Sequence, residues 1–435
     1  MATHRSLPGT QAIRQTWKNA RNWLEEDRIF GKSLLWFVSG WRLGAIVLIA
    51  ALIFPQEYSD NYILIAIGIG NYILLALGLN IVVGYAGLLD LGYVAFFIVG
   101  NYTYAALSGS ILDNAQKQPV IAPYISFWWL IPLGVLLAGL AGVLLGAPTL
   151  RLRGDYLAIV TLGFGAIAQI TVLNLPFFGG ANGLSPFRAP LVHTPLGAVN
   201  FGNVGDHTAF YYLLLVAVVL VVFLVGLLRN SSLGRAWVAI REDETAAAAS
   251  GVNLVRTKLL AFGMGAAIAG LAGVLSAAVQ GIITPEVFSF NYSITILVMI
   301  VLGGIGSIPG VIIGATLLGY FQFQLLDNVQ TFIHGNPLVS STSSPLHFLS
   351  TVDLGQNQFL IYGLVLLVMV LLRPQGIIPD RRRQRELRAA TSVEEASAVG
   401  ILAIEQAGGT ISGMGGANPT EYTGPGSDAQ GREEQ

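Results

Sequence analysis

Long apolar stretches separated by short polar connections dominate the chain. A helix needs about 20 mainly apolar residues to cross a bilayer, because its backbone polar groups can be satisfied only within the helix. The pattern predicts an all-α integral membrane protein, a polytopic helical bundle of about ten transmembrane helices. The predicted spans are Trp41–Phe54, Tyr62–Val83, Leu88–Leu107, Phe127–Ala147, Tyr156–Phe178, Phe210–Leu228, Leu259–Ile283, Ile294–Leu302, Val311–Leu326 and Phe359–Leu372.

The eighth span is short, and a glycine-rich stretch over residues 303–310 follows it. These glycines belong either to a loop outside the membrane or to a break inside it. Both interpretations fit the apolar pattern, so the predicted number of spans is approximate.

Composition excludes a soluble multidomain enzyme. Hydrophobic residues make up 54% of the chain and charged residues only 11%, whereas an average soluble protein is about 25% charged. Because there is no Cys, disulfides, thiol catalysis and thiolate metal sites are excluded. The five His are scattered, so no metal site is predicted. The net charge is −1 with no basic patch, and nucleic acid is not an expected partner.

Basic residues set the predicted orientation, since Lys and Arg accumulate in cytoplasmic loops. All but Lys117 and Arg188 of the 23 Lys and Arg lie before or at the start of the first span, after the fourth, between the sixth and seventh, or after the tenth. Both termini are therefore expected on the cytoplasmic side.

Composition divides the chain into three parts. Residues 1–37 are charged and carry Trp side chains, which is typical of a cytoplasmic or interfacial segment. Residues 38–379 form the transmembrane domain, with a cytoplasmic connection at 229–258. Residues 380–435 are rich in Gly, Ala, Ser and Glu and are predicted to be a disordered cytoplasmic tail, because they cannot bury enough apolar surface to become ordered.

Asp90 is the clearest charged residue inside a predicted span. Intramembrane charges are costly and mark function by default, so one interpretation makes it part of a transport pathway or of a helix break beside Gly84, Gly87 and Gly92. The other places it near a cytoplasmic helix end, in water or at a helix N-terminus. The sequence leaves both open.

The connection between spans six and seven carries the most informative pattern. It holds the acidic residues Glu242, Asp243 and Glu244, an alanine run that includes Ala246 and Ala247, and then Gly251. Acidic residues favour a helix N-terminus through the macrodipole, and Gly is suited to end the helix. The pattern predicts a short helix at the inner surface, with a plain loop as the alternative.

Small residues recur at the start of the seventh span. Gly263, Gly265, Gly270 and Gly273, together with the alanines between them, place small residues three and four apart, a spacing that allows close helix packing in lipid. Packing, and not ligand contact, is their predicted role.

Adenine nucleotide binding by this chain is not expected. Gly31, Lys32 and Ser33 match the end of a phosphate-binding loop, but Glu26 occupies the position that requires the first Gly and no strand precedes it. If ATP drives transport, another subunit must hydrolyse it.

Several short segments together form a specific signature. They are LGLNIVVGYAGLLDLG at 77–92, LRLRGDYLAIVTLGFG at 150–165, GGANGL at 179–184, VLGGIGSIPG at 301–310 and RPQG at 373–376. Together they resemble the larger membrane permease subunit of the branched-chain amino acid importers of the ATP-binding cassette class. The resemblance runs from about Leu77 to Pro379.

The resemblance implies a transport subunit that is not itself an enzyme and lies in the bacterial inner membrane. Its partners would be a second homologous permease, two cytoplasmic ATPases and an external substrate-binding protein. This chain would hold no cofactor, because ATP and Mg would be used by the ATPases.

In such permeases a short inner helix docks in a cleft of the ATPase. The resemblance assigns this coupling role to Glu242, Asp243, Glu244, Ala246, Ala247 and Gly251. Glu244 lies one residue further from Gly251 than the family's motif requires, and Thr245 occupies the position of the expected Glu.

A translocation path is predicted beside the signature glycines. Its candidate residues are Asn80, Gly84, Gly87, Asp90, Gly303, Gly304 and Gly306. A path of small and apolar residues suits a zwitterion with an aliphatic side chain, and the scarcity of intramembrane carboxylates argues against a proton-driven carrier. The alternatives are a urea or amide importer, a secondary transporter and a purely structural membrane subunit.

The predicted orientation can be tested by thiol labelling, because the natural chain has no Cys. In intact cells, Ser59→Cys, Ser108→Cys and Ser343→Cys should react with a membrane-impermeant thiol reagent. Ser232→Cys and Ser392→Cys should react only after the membrane is permeabilised. Labelling of Ser232→Cys from outside would overturn the orientation.

Overall fold

A computed structural model describes residues 40–108, 126–149, 155–175, 178–184, 191–194, 197–200, 207–335, 358–373 and 376–378. The N-terminal segment 1–37 and the tail 380–435 lie outside the described residues, so what the sequence indicates for them stays a prediction. Lys117 and Arg188 also lie outside them.

Helices account for most of the described chain. They are α1 (Gly40–Glu57), α2 (Asp60–Leu79), α3 (Val94–Leu107), α4 (Phe127–Thr149), α5 (Asp155–Asn174), α6 (Thr208–Asn230), α7 (Ser232–Glu242), α8 (Glu244–Ala249), α9 (Leu254–Gln280), α10 (Phe290–Gly303), α11 (Ile308–Tyr320), α12 (Leu326–Gly335) and α13 (Gln358–Leu372).

Shorter elements join these helices. A π-helical turn, Asn80–Tyr85, continues α2, and a second, Phe321–Leu325, joins α11 to α12; the 3-10 turns are Gly180–Asn182 and Pro285–Phe288. Strand β1 (Leu191–Thr194) pairs antiparallel with β2 (Gly197–Asn200), with Val192 opposite Val199. This small hairpin was not predicted from the sequence.

The predicted membrane bundle is confirmed. Six described helical stretches are long and apolar enough to cross a membrane: Asp60–Tyr85, Phe127–Thr149, Tyr156–Asn174, Thr208–Asn230, Leu254–Gln280 and Ile308–Thr331. Four shorter apolar helices fall at the other predicted spans: Gly44–Glu57, Val94–Leu107, Phe290–Gly303 and Gln358–Met369.

The start of the third predicted span is wrong. That span was placed at Leu88, but α3 begins only at Val94, and residues 86–93 have no regular helical structure. Gly87 has a left-handed φ of 69°, and Gly92 lies so close to the Thr161 carbonyl that an added Cβ would overlap it. Hydropathy indicates whether a segment is buried and not which backbone conformation it has. This buried irregular segment is as apolar as a helix, so the sequence pattern could not separate it from α3.

Helix α9 lies at the centre of the described bundle and packs against α2, α3 and α4. Small residues allow this close approach: a Cβ on Gly100 of α3 would overlap the Gly270 carbonyl, and one on Gly273 would lie 2.5 Å from the Phe97 carbonyl oxygen. Since lipid supplies no hydrophobic force between helices, close van der Waals contact is what holds them together. The predicted packing role is confirmed for Gly270 and Gly273.

Gly100→Leu should destabilise the bundle, because the new side chain has to separate α3 from α9. Overpacking of this kind costs about 1–3 kcal/mol, which should lower the thermal unfolding midpoint of the purified protein in detergent. Gly226→Leu on α6 is the matched control, since a Cβ at Gly226 meets no heavy atom within 4 Å. Equal midpoints for the two variants would contradict the packing assignment.

Candidate functional site

The connection between α6 and α9 folds as two helices and not as one. Glu242 is the last residue of α7, Asp243 caps α8, and α8 begins at Glu244. The prediction that Glu242 belongs to the start of the alanine-rich helix is therefore wrong. At Asp243 the backbone is extended, with φ −151° and ψ 113°, because its side chain binds backbone N–H groups and starts a new helix instead of continuing the old one.

Asp243 caps α8 with a full set of hydrogen bonds. Its Oδ1 accepts from the Thr245 N–H at 2.8 Å, the Ala246 N–H at 3.0 Å and the Thr245 hydroxyl at 2.5 Å. The Thr245 hydroxyl and the two backbone N–H groups hold the pKa of the Asp243 carboxyl below its usual value. The carboxylate is thus ionised at neutral pH, as a favourable interaction with a helix N-terminus requires.

Gly251 turns the chain after α8, as the sequence predicts. Its φ is 85°, and the following Val252 N–H bonds back to the Ala247 carbonyl at 3.1 Å. Only Gly adopts such a left-handed φ without steric cost, so this position joins α8 to α9 by a tight turn.

The six predicted coupling residues divide into an outer and an inner set. Glu242, Asp243 and Ala246 are exposed, whereas Ala247 is buried. Glu244 turns inward, and its carboxylate pairs with the Lys258 ammonium of α9. The outer set forms a surface open to another molecule, and the inner set anchors α8 to the bundle. We call α7 and α8 with their caps, residues 231–253, the coupling unit.

Two contacts attach the coupling unit to the start of α9. Trp237 is fully buried, and its Nε1 donates to the Thr257 carbonyl at 2.7 Å. In the second contact the Lys258 side chain is only 6% exposed, and its partner Glu244 is 30% exposed. Removing Glu244 would leave the buried ammonium without its carboxylate, which is destabilising. Lys258 therefore fixes α8 through Glu244.

Arg241 attaches the coupling unit to the π-helical turn that continues α2, and it lies beside the α10–α11 connection. Its Nη1 donates to the Gly84 carbonyl, and a Cβ at Gly87 would lie 2.7 Å from the Arg241 Cγ. A Cβ at Gly306 would lie 3.4 Å from Nη1, and the Gly306 N–H donates to Asn80 Oδ1 at 2.9 Å. We call these five residues the arginine cluster. It brings together four predicted path residues from two distant segments.

Gly303 and Gly304 lie next to this cluster, where α10 ends. A Cβ at Gly303 would overlap the Gly310 carbonyl of α11, and Gly304 has a φ of 123°. The glycine-rich stretch is thus a short connection, residues 304–307, between two closely packed helices. The role of both residues in a translocation path stays a prediction.

Asp90 lies apart from the arginine cluster, in the irregular segment before α3. It is 2% exposed, and its Oδ1 accepts from the Gly92 N–H at 2.9 Å. The adjacent Leu91 N–H donates to Thr161 Oγ1 at 3.0 Å. The interpretation that puts Asp90 in water is therefore wrong. The structure contains the alternative, a helix break beside Gly84, Gly87 and Gly92. Whether Asp90 contributes to a path stays a prediction.

The sequence did not single out Arg241, Lys258 and Trp237, which the structure places in the contacts between the coupling unit and the bundle. The two cations served only as indicators of orientation. Their partners lie in other segments of the chain, and nothing local to the α6–α9 connection identifies them. The unusual length of that connection was the one available signal.

Comparison with known proteins identifies relatives across most of the chain. The family described as the permease component of branched-chain amino acid transport systems matches residues 61–371. The LivM permease protein of the high-affinity branched-chain amino acid transport system of Salmonella typhimurium is 38% identical over 334 residues, 73% of this chain and 70% of the relative. LivM of Escherichia coli is 38% identical over 327 residues, 71% of this chain and 68% of the relative.

A shorter match links the chain to a different permease of the same system. LivH of Escherichia coli is 44% identical over 92 residues, 21% of this chain and 30% of the relative. No solved structure matches the chain. Because the family match spans most of the sequence and the LivM relatives share more than a third of their aligned residues with it, the chain belongs to the family of branched-chain amino acid transport permease components.

Proposed function

We propose that this chain is the larger of two permease subunits in an ATP-driven importer of branched-chain or other neutral amino acids. Its family is one of membrane permeases, and its apolar helices make it a multi-pass membrane protein. The relatives' names support amino acids over urea or amides as the transported class. The specific amino acid is selected largely by an external binding protein.

The coupling unit is the observation that carries this proposal. Its outer residues Glu242, Asp243 and Ala246 are exposed, while Trp237 and Ala247 are buried against the bundle. A small exposed helix held on a rigid base suits docking into a cleft of another protein. A cytoplasmic ATPase pair, which binds ATP and Mg, is the proposed partner, and this chain holds no cofactor.

The contacts of the coupling unit suggest how ATPase closure reaches the membrane. Movement of α8 acts on α9 through the Glu244–Lys258 pair, and movement of α7 acts on α2 and the α10–α11 connection through Arg241. Because these links are short, the helices should tilt as rigid bodies and open the path alternately to each side.

The remaining partners and the location follow from the same proposal. A second, LivH-like permease completes the path, and this chain's local similarity to LivH supports two related subunits side by side. The protein resides in the bacterial inner membrane with both termini in the cytoplasm, which the distribution of Lys and Arg supports.

Reconstituted transport tests the proposal. The chain should be purified with a second permease, two ATPases and a binding protein from the same organism, and placed in proteoliposomes. Leucine uptake should require ATP on the coupling-unit side, persist with an ionophore, and exceed urea uptake. Uptake without ATP that collapses with the ionophore would instead identify a secondary transporter.

Gly251→Val should weaken attachment of the ATPases while the chain still inserts into the membrane. A β-branched residue at φ 85° is strained by about 1–3 kcal/mol, so the turn that positions α8 should relax. Gly281→Val is the control, because Gly281 also has a positive φ and open space around its Cβ but caps the opposite end of α9. Equal ATPase recovery on co-purification of the two variants would rule out this role for Gly251.

Arg241→Lys should uncouple ATP hydrolysis from uptake without releasing the ATPases. A hydrogen bond to a charged group is worth about 1.5–3 kcal/mol, and Lys lacks the planar guanidinium, so leucine uptake should fall roughly tenfold or more. Arg235→Lys on the same helix is the control, since Arg235 is exposed and bonds only the nearby Asn230 carbonyl in the described contacts. Wild-type uptake by Arg241→Lys would remove Arg241 from the coupling pathway.

A further inference from the structure

A cavity lies in the bundle away from the arginine cluster. Its volume is about 480 Å³, within the range of about 300–1,000 Å³ typical of small-molecule sites. Residues of α2, α6, α9, α10, the π-helical turn after α11 and the start of α13 line it. None of the predicted path residues is among its described lining residues.

Apolar side chains from several elements line the cavity. They include Ile67, Leu214, Leu275, Val279 and Phe323, and we call them the apolar wall. Aliphatic and aromatic side chains from different helices meet there, so an aliphatic group placed against the wall would leave water for an apolar environment. The wall therefore suits a branched aliphatic side chain.

Two buried oxygen atoms in the lining have no hydrogen-bond partner. Asn71 is 8% exposed, and its Oδ1 is unpartnered in the described structure, as is Oε1 of Gln322. Neither oxygen has appreciable accessible surface, so each reaches a ligand in the cavity by rotation of its amide about the last side-chain bond. A buried polar atom without a partner is costly, and a ligand that supplies the missing group favours that rotation. Both atoms are acceptors, which calls for N–H donors such as those of an ammonium group.

Aromatic rings lie beside these acceptors. The rings of Tyr72 and Tyr292 are 5.4 Å apart, and Tyr72 and Phe323 are 5.8 Å apart. Ring faces attract cations. Gln322 and Phe323 belong to the π-helical turn Phe321–Leu325, and such turns occur frequently at functional sites. The turn thus places an amide and a ring in the lining of the same cavity.

A negative side chain and the positive end of a helix dipole both lie at the cavity, as a zwitterionic ligand requires. Among the described lining residues Glu286 alone is a charged side chain, and it is exposed. Ser289, which also lines the cavity, precedes α10 and makes no side-chain capping bond. The positive end of the α10 dipole favours a carboxylate there, whereas Glu286 and the buried oxygens favour an ammonium.

We propose that this cavity binds the transported aliphatic amino acid within this chain. Its ammonium is directed to Asn71 and Gln322, its side chain lies on the apolar wall, and its carboxylate lies toward the start of α10. The inference rests on the proposed function and adds the substrate-contact residues. A lipid chain would fill the apolar wall but would leave both oxygens without donors.

Thiol protection tests the site in the assembled complex with its partner subunits, in lipid nanodiscs. Ser276→Cys places a thiol in the lining of a chain that has no other Cys. Leucine should slow its reaction with a small thiol reagent by roughly tenfold at about ten times its Kd. Isocaproate, which keeps the side chain and carboxylate but lacks the ammonium, should not protect. Ser232→Cys, exposed on α7, should react equally with and without leucine.

A second measurement applies whether or not the introduced thiol reacts. Gln322→Leu removes an acceptor from the cavity, and the maximal rate of leucine uptake should fall about tenfold. Gln324→Leu is the matched control, because Gln324 lies in the same π-helical turn but bonds Asn328 and is not among the described lining residues. Wild-type uptake by Gln322→Leu would overturn the site.

The labelling outcomes also separate this inference from the proposed function. Protection by leucine alone supports the proposed site. Equal protection by isocaproate would show that the cavity does not recognise the ammonium group and is only an apolar pocket, which would overturn the proposal. ATP-driven leucine uptake by the wild-type complex without protection would reject the cavity and leave the importer intact. Absence of that uptake would reject the proposed function itself.

Discussion

Close contact between helices at small residues is the constraint on which the described structure depends. In lipid no hydrophobic force drives helices together, so they associate only where their backbones approach. Gly265 of α9 meets Gly78 of α2, where a Cβ would lie 3.0 Å from a carbonyl oxygen, and it also accepts a hydrogen bond from the Tyr93 hydroxyl at 3.0 Å. Gly270 meets Gly100 of α3. These contacts fix α2 and α3 against α9, and with them the positions of every site along these helices.

Helix breaks inside such a bundle need substitutes for the missing backbone hydrogen bonds, because non-helical backbone is tolerated at membrane depth only when its polar groups are satisfied. Side chains from neighbouring segments provide them. Thr161 accepts from the Leu91 N–H, Ser293 from the Val94 N–H, and Asn80 from the Gly306 N–H. These three polar side chains thus serve backbone N–H groups where helices are interrupted, and Arg241 reaches the bundle at one of these places.

The coupling unit and the cavity share two helices. Along α2 and the π-helical turn that continues it, Asn71 lines the cavity and Gly84 accepts the bond from Arg241; at about 1.5 Å per residue they are roughly 20 Å apart. Along α9, Lys258 holds the coupling unit and Ser276 lines the cavity. A rigid-body tilt of α2 and α9 that begins at the coupling unit would change the shape of the cavity. This gives the proposed importer a direct physical route from ATP hydrolysis to its substrate.

The sequence by itself determined the membrane class and the order of the spans, and it favoured a short helix before Gly251, because apolar length, capping residues and left-handed glycines act locally. It could not show that the apolar stretch before Val94 is irregular. A buried helix and a buried non-helical segment whose backbone hydrogen bonds are made by side chains have the same apolar sequence pattern. Tertiary structure decided that Arg241 reaches the turn after α2, that Lys258 pairs with α8, and that Asn71 lines a cavity. Each of these depends on contacts between residues that are far apart in the chain, and such contacts exist only after the helices have packed.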